Sequence, residues 1–186
     1  MTQLPRLLSG VLAAGLVLGL LIPDTATPRP QEVRVRSQSS LSFGTFMVFG
    51  RGSRSISATG ALSDNGIAPL EGGTPRPARF TIDYDRGNES RQPLEVTVEL
   101  IMSAPSTMRF GGVDVQLSAF ETDLPGHARI ESGDPLTIRI TDCRTRVCSR
   151  TFNVGGRLDV TRSFGGARVD VPITILARIV ERDRVR

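Results

Sequence analysis

The chain has 186 residues, with 23 basic and 19 acidic side chains, a net charge of +4 and no lysine, so every basic residue is arginine. One histidine, one tyrosine, no tryptophan and two cysteines leave little material for base stacking or for histidine-dependent catalysis. The arginines alternate with acids, as in "IVERDRVR" at residues 179–186, instead of clustering, so no nucleic-acid partner is expected.

The first element is "RLLSGVLAAGLVLGLLIPDTATP", in which Arg6 precedes an uncharged apolar run from Leu7 to Ile22, followed by Pro23 and small residues ending at Ala26. That layout predicts a secretory signal peptide over residues 1–26. A run of about 16 residues is short for a bilayer crossing, so a retained anchor is the alternative and no membrane span is expected once the leader is removed. Removing residues 1–26 takes away Arg6 and Asp24 and leaves the charge balance at +4. The expected location is outside the cytoplasm, in the periplasm, on the cell surface or in the medium. Residues 27–40 carry prolines and polar residues and read as an extended lead-in. Residues 41–186 are long enough for a single domain with its own core.

From residue 41 onward the apolar period is two. "RFTIDYD" puts Phe80, Ile82 and Tyr84 on one face, and "LEVTVELI" does the same with Leu94, Val96, Val98 and Leu100. "GVDVQLSAF" alternates Val113, Val115 and Leu117, and "LTIRITDC" alternates Leu136, Ile138 and Ile140. The closing "ARVDVPITILARIVE" sustains Val169, Val171, Ile173, Ile175, Ala177 and Ile179. Weaker strands are expected at residues 41–49, 55–59, 67–70, 108–110, 152–154 and 158–160. Joints are expected at "SDNG", "EGGTPRP", "DRGN", "SAPS", "LPG", "SGDP" and "VGG". The pattern predicts an all-β fold, an immunoglobulin-like antiparallel β-sandwich, with a small barrel as the architectural alternative. Pro172 cannot donate to a ladder, so the last long strand should lie at an edge, bend or bulge there.

Four stretches in this order resemble the exported bacterial family called domain of unknown function 4402: "LSFGTFMVFG" (41–50), "ISATG" (56–60), "LEGGTPRPARFTID" (70–83) and "FNVGGRLDVTRSFGGARVDVPITILARI" (152–179). The resemblance rests on a Leu-x-Phe-Gly opening, a Gly-Gly stretch leading into an Ala-x-Phe strand, a Val-Gly-x-x-Leu turn and a final alternating strand. It implies a relative of pilin-like and spore-coat-like sandwiches with a structural role at the cell surface or in the periplasm. Residues 103–150 depart from the pattern, and the family carries no activity to transfer.

The chemistry-bearing residues are few. In an oxidising compartment Cys143 and Cys148 are expected to pair across a hairpin whose tip is "RTRV", closing a loop worth about 2 kcal/mol. A redox pair would have two intervening residues, and a zinc site would need about four ligands. His127, in "DLPGHARIE", reads as a solvated loop residue, and no Gly-x-Ser-x-Gly elbow occurs. Asp83 and Asp85 could act as a carboxylate pair or, with Asn88 and Glu89, form an oxygen-rich calcium loop without the spacing of a calcium hand. "RGSR" and "EGGTPRP" follow no phosphate-loop spacing, and their arginines read as solvated.

The expectation is therefore a non-enzymatic exported protein without a cofactor, a structural subunit or accessory of a cell-surface or fimbria-like assembly. Its partners would be copies of itself or other surface subunits joined by strand addition. The alternative is a periplasmic or surface module binding carbohydrate or calcium through residues 83–89 or 127–134.

Overall fold

The structure, a computed structural model, describes residues 29–88, 92–162 and 166–184, and every regular element within them is a strand. The expected leader and Glu89 lie outside the described residues. Among those described, no helix is long and apolar enough to cross a membrane.

The strands in chain order are β1 (Glu32–Ser39), β2 (Leu41–Ile56), β3 (Leu62–Pro69), β4 (Ala78–Asp85), β5 (Leu94–Ser103) and β6 (Met108–Phe110). There follow β7 (Val113–Thr122), β8 (Arg129–Ile130), β9 (Pro135–Cys143), β10 (Val147–Arg162), β11 (Ala167–Val171) and β12 (Thr174–Arg184). All pairings are antiparallel. The larger sheet runs β1-β4-β10-β2-β11, with β3 added beside β2 and β7 beside β10, and β7 carries β6 and β8. The smaller sheet is β12-β5-β9. The two sheets share one apolar core, a sandwich-like arrangement in which alternate residues are buried.

Alternation explains most of this core. Leu94, Val96, Val98, Leu100 and Met102 of β5 are buried, as are Ala78, Phe80, Ile82 and Tyr84 of β4. Each of the larger aliphatic and phenylalanine side chains among them contributes roughly 1.5–3 kcal/mol on burial. Phe80 and Phe152, directly opposite each other on β4 and β10, stack with ring centroids 5.8 Å apart. In β2 the buried phase switches from Leu41 and Phe43 to Phe46 and Val48. The switch is a bulge: Val169 pairs with Gly44 and Asp170 with Ser42, leaving Phe43 extra, and Gly44 takes φ 72° to make it.

Two expected joints fall inside strands. "VGG" lies within β10, which runs unbroken from Val147 to Arg162. Gly155 is there because a Cβ at that position would sit 2.0 Å from the Ile56 carbonyl oxygen and 2.6 Å from the Ser57 carbonyl carbon. Its role is close approach of two backbones, not a turn. "SDNG" lies within β3, paired with the far half of β2, and the turn between them comes earlier, where Gly60 N donates to Ser57 O. The strands expected at 41–49 and 55–59 are accordingly one strand, β2, as those at 152–154 and 158–160 are one strand, β10.

Pro172 marks a bend of a definite kind. Before it, β11 pairs with β2 in the larger sheet; after it, β12 pairs with β5 in the smaller one. The chain also crosses between sheets from β4 to β5 and from β9 to β10. Arg86, 2 % exposed, ties these two crossings together by donating to the carbonyls of Cys143 and Gln92, both at 2.9 Å, while its own amide donates to Arg146 O.

Candidate functional site

Asp83 and Asp85 do share a face, the outer side of β4, between β1 and β10. That face is already furnished with cations. Arg36 donates two hydrogen bonds to Asp83, through Nε to Oδ2 and through Nη2 to Oδ1, and the Ser149 hydroxyl donates a third at 2.5 Å. Arg146 lies 3.5 Å from both Asp85 oxygens, and Asp85 Oδ1 also accepts the Gly87 amide at 2.9 Å. The Arg36 hydrogen bond holds the Asp83 carboxyl below the ordinary carboxylate range. Burial opposes this, while Ser149 and the charges of Arg36 and Arg34 add to it. A cation entering here would have to displace two guanidiniums, and Asn88 is exposed at the turn beyond them. Among the described residues no cluster of three or more His, Cys, Asp or Glu is arranged to hold a metal ion.

The cysteines form a disulfide, Cys143–Cys148, with Cα atoms 5.6 Å apart. Its setting differs from the expected hairpin. Cys143 pairs with Leu94 in the smaller sheet and Cys148 with Tyr84 in the larger, so β9 and β10 are not ladder partners and the bridge spans a corner between sheets. Asp142, at φ 53°, lies in a bulge of β9 immediately before Cys143. Arg86 reaches the same corner through Cys143 O, so disulfide and guanidinium act on one junction.

His127 sits in a tight turn, where its amide donates to Leu124 O and its carbonyl accepts from the Thr122 hydroxyl at 2.6 Å. His127 lies between β7 and β8 and Asp83 on β4, strands that are not ladder neighbours. "RGSR" corrects another expectation. Arg54 is 1 % exposed, forms a two-pronged ion pair with Asp64 of β3 at 2.6 and 2.8 Å, donates to Phe43 O and lies 5.1 Å over the Phe46 ring. Such an arginine is a structural tie, since its charge is matched and its donors are directed.

What remains open is a sheet edge. Among the described residues no strand pairs with the far side of β12, whose inner row, Ile175, Ala177 and Ile179, is only half-buried, although the β5 residues opposite it are fully buried. Leu176 and Val180 point outward, 66 % and 53 % exposed. The sequence signal for this was present: "TILARIV" carries apolar residues on both phases of the strand, and attention to the odd positions alone passes over Leu176 and Val180. The end of β12 is covered differently. Val180 is an extra residue in a bulge between Ile179 and Glu181, and Arg182 donates to the side-chain oxygen of Gln31, just before β1.

No curated protein and no solved structure matches the chain. A family model described as "Domain of unknown function (DUF4402)" matches residues 33–169, from the start of β1 into β11. That span is most of the chain, and the chain belongs to the DUF4402 family.

Proposed function

We propose that this protein is an exported, non-enzymatic structural module of immunoglobulin-like, pilin-like type that works at the cell surface or in the periplasm as a subunit or accessory of a larger assembly. The observation that carries the reading is the apolar edge of β12, with which no strand among the described residues pairs and where Leu176 and Val180 stand exposed. Exposed strand edges with apolar side chains are the places where one chain pairs with another. The corner disulfide and the apolar leader both support export, because disulfides persist outside the reducing cytoplasm. The carboxylates best placed for acid–base work, Asp83 and Asp85, are bound by arginines, which supports a scaffold more than a reaction centre.

The test is fractionation of cells producing the full chain, followed by mild crosslinking and sizing. Recovery outside the cytoplasm in a complex larger than one chain is the expected result. Recovery as a cytoplasmic protein, or as an exported chain that never enters a larger species, overturns the reading.

A further inference from the structure

We infer that the first half of β12, Thr174–Ile179, is a self-recognition edge that pairs with the same segment of a second copy about a two-fold axis through Leu176. The inference rests on the surface-subunit reading and names its contact. The smaller sheets of two copies would then join in the order β9-β5-β12-β12-β5-β9.

The choice of edge follows from what guards the others. An exposed edge is normally blunted by charge, proline, shortness or cover. β1 presents Arg34 and Arg36, with Glu32, along its length. β3 carries the polar run Ser63–Asn65 and ends in Pro69, β6 and β8 have three and two residues, and β11 has five, with Arg168 and Asp170 along it and Pro172 immediately after it. β9 is capped by Arg150, which donates to Arg139 O at 2.6 Å. In β12 the second half is guarded by the bulge at Val180 and by the charges of Glu181 to Arg184. In the first half no proline or bulge interrupts the strand, and its single charge, Arg178, is engaged by Glu99 of β5 at 2.6 Å.

The choice of partner follows from register. Opposed residues of an antiparallel pair must lie on the same face, so only registers that keep the phase are allowed. With Leu176 on the axis, Leu176 meets Leu176 on the outer face, Thr174 meets Arg178, and Ile175 meets Ala177 on the inner face. Large stands opposite small, and no like charges are opposed. Placing Arg178 on the axis would set two guanidiniums against each other, which costs energy. Placing Ala177 there would set Leu176 against Arg178. Of these three registers the one through Leu176 is the best matched, and pairing covers the half-buried Ile175 and Ala177 that the chain leaves open. A contact of this length buries less than about 1,000 Å², which places the dimer in the transient class, with a dissociation constant of roughly micromolar or weaker.

The experiment is sedimentation of the exported protein over a concentration series from about 10 to 500 µM, chosen to bracket that class, for wild type, Leu176→Lys, Leu176→Glu and an equimolar mixture of the two variants. Leu176 is exposed, so both variants should keep the wild-type far-UV circular dichroism spectrum. The expected result is a wild-type dimer that grows with concentration, two variants that stay monomeric alone, and a dimer recovered on mixing, because lysine then faces glutamate across the axis. A wild type that is monomeric throughout overturns the inference. Variants that associate like the wild type overturn it too, and place assembly on another edge while the surface-subunit reading stands. Monomers in the mixture, beside a wild-type dimer, overturn the two-fold register. Failure of the surface-subunit reading itself would show instead in the cell fractionation, where no larger species of any kind would be found.

Discussion

Gly155→Ala tests how the larger sheet is held together. The added methyl carbon would lie 2.0 Å from Ile56 O, 2.6 Å from the Ser57 carbonyl carbon and 2.9 Å from the Ala58 nitrogen. All three are backbone atoms, at the point where β2 leaves its ladder with β10, so no rotamer can relieve the clash. To reach ordinary contact distance the strands must part by about 1 Å or more, which breaks two or three ladder hydrogen bonds at about 1 kcal/mol each. Local overpacking adds about 1–3 kcal/mol. The expected loss is about 3–6 kcal/mol, a large part of the stability of an ordinary domain, and for a chain of this size a drop in melting temperature of about 6–24 °C. Thermal and urea unfolding followed by far-UV circular dichroism measures it. Gly126→Ala is the control, since Gly126 has φ 81° with no atom within 4 Å of the added carbon, and only the left-handed backbone term of about 1 kcal/mol applies. If Gly155→Ala cost no more than Gly126→Ala, the close approach of β10 to the end of β2 would be refuted.

Three further outcomes follow from the packing. Asp64→Ala leaves the Arg54 charge, 1 % exposed, without its carboxylate, and should cost about 3 kcal/mol in denaturant unfolding, whereas Arg34→Ala, at a solvent-exposed pair, should leave the unfolding curve close to that of the wild type. Replacing both cysteines by serine removes a staple across a sheet corner; the chain-entropy loss is about 2 kcal/mol, so the melting temperature should fall by roughly 4–8 °C with the strand spectrum intact. Asp83, whose carboxyl Arg36 holds below its ordinary range, stabilises the fold at pH above its unfolded value of about 3.9, and that contribution disappears as pH falls through the lower folded value. The stability gap between wild type and Asp83→Asn should therefore be widest near neutrality and close on acidification through that window, which melting temperatures measured across the range will show.

The strands with strict alternation were legible because burial on one face of a sheet imposes period two. β4, β5, β7 and β9 follow from Phe80, Val96, Val113 and Ile138 and their neighbours. Glycine is where local composition misleads. Gly155 in "VGG" has the composition of a turn and the role of a contact, and only the position of Ile56 reveals the difference. The pairing of Cys143 with Cys148 is legible from there being two cysteines and from the expected oxidising compartment, but its place between sheets depends on β9 and β10 belonging to different ladders, a long-range fact. Arg54 and Arg86 were hidden for the same reason. Their burial is decided by Asp64, Phe46 and the Cys143 carbonyl, none of which a local pattern brings near them. Asp83 and Asp85 were correctly placed on one face, yet the arginines that engage them come from β1 and from the turn before β10.

The central claim is that this protein works through the free edge of β12. It is tested most directly by a photoreactive residue at position 176, introduced into the full chain and activated in cells that produce it. The account predicts an adduct joining position 176 to another protein chain, with no such adduct from the same group at Arg139, on the outer face of β9. Equal capture at both positions, or capture at Arg139 alone, would contradict it.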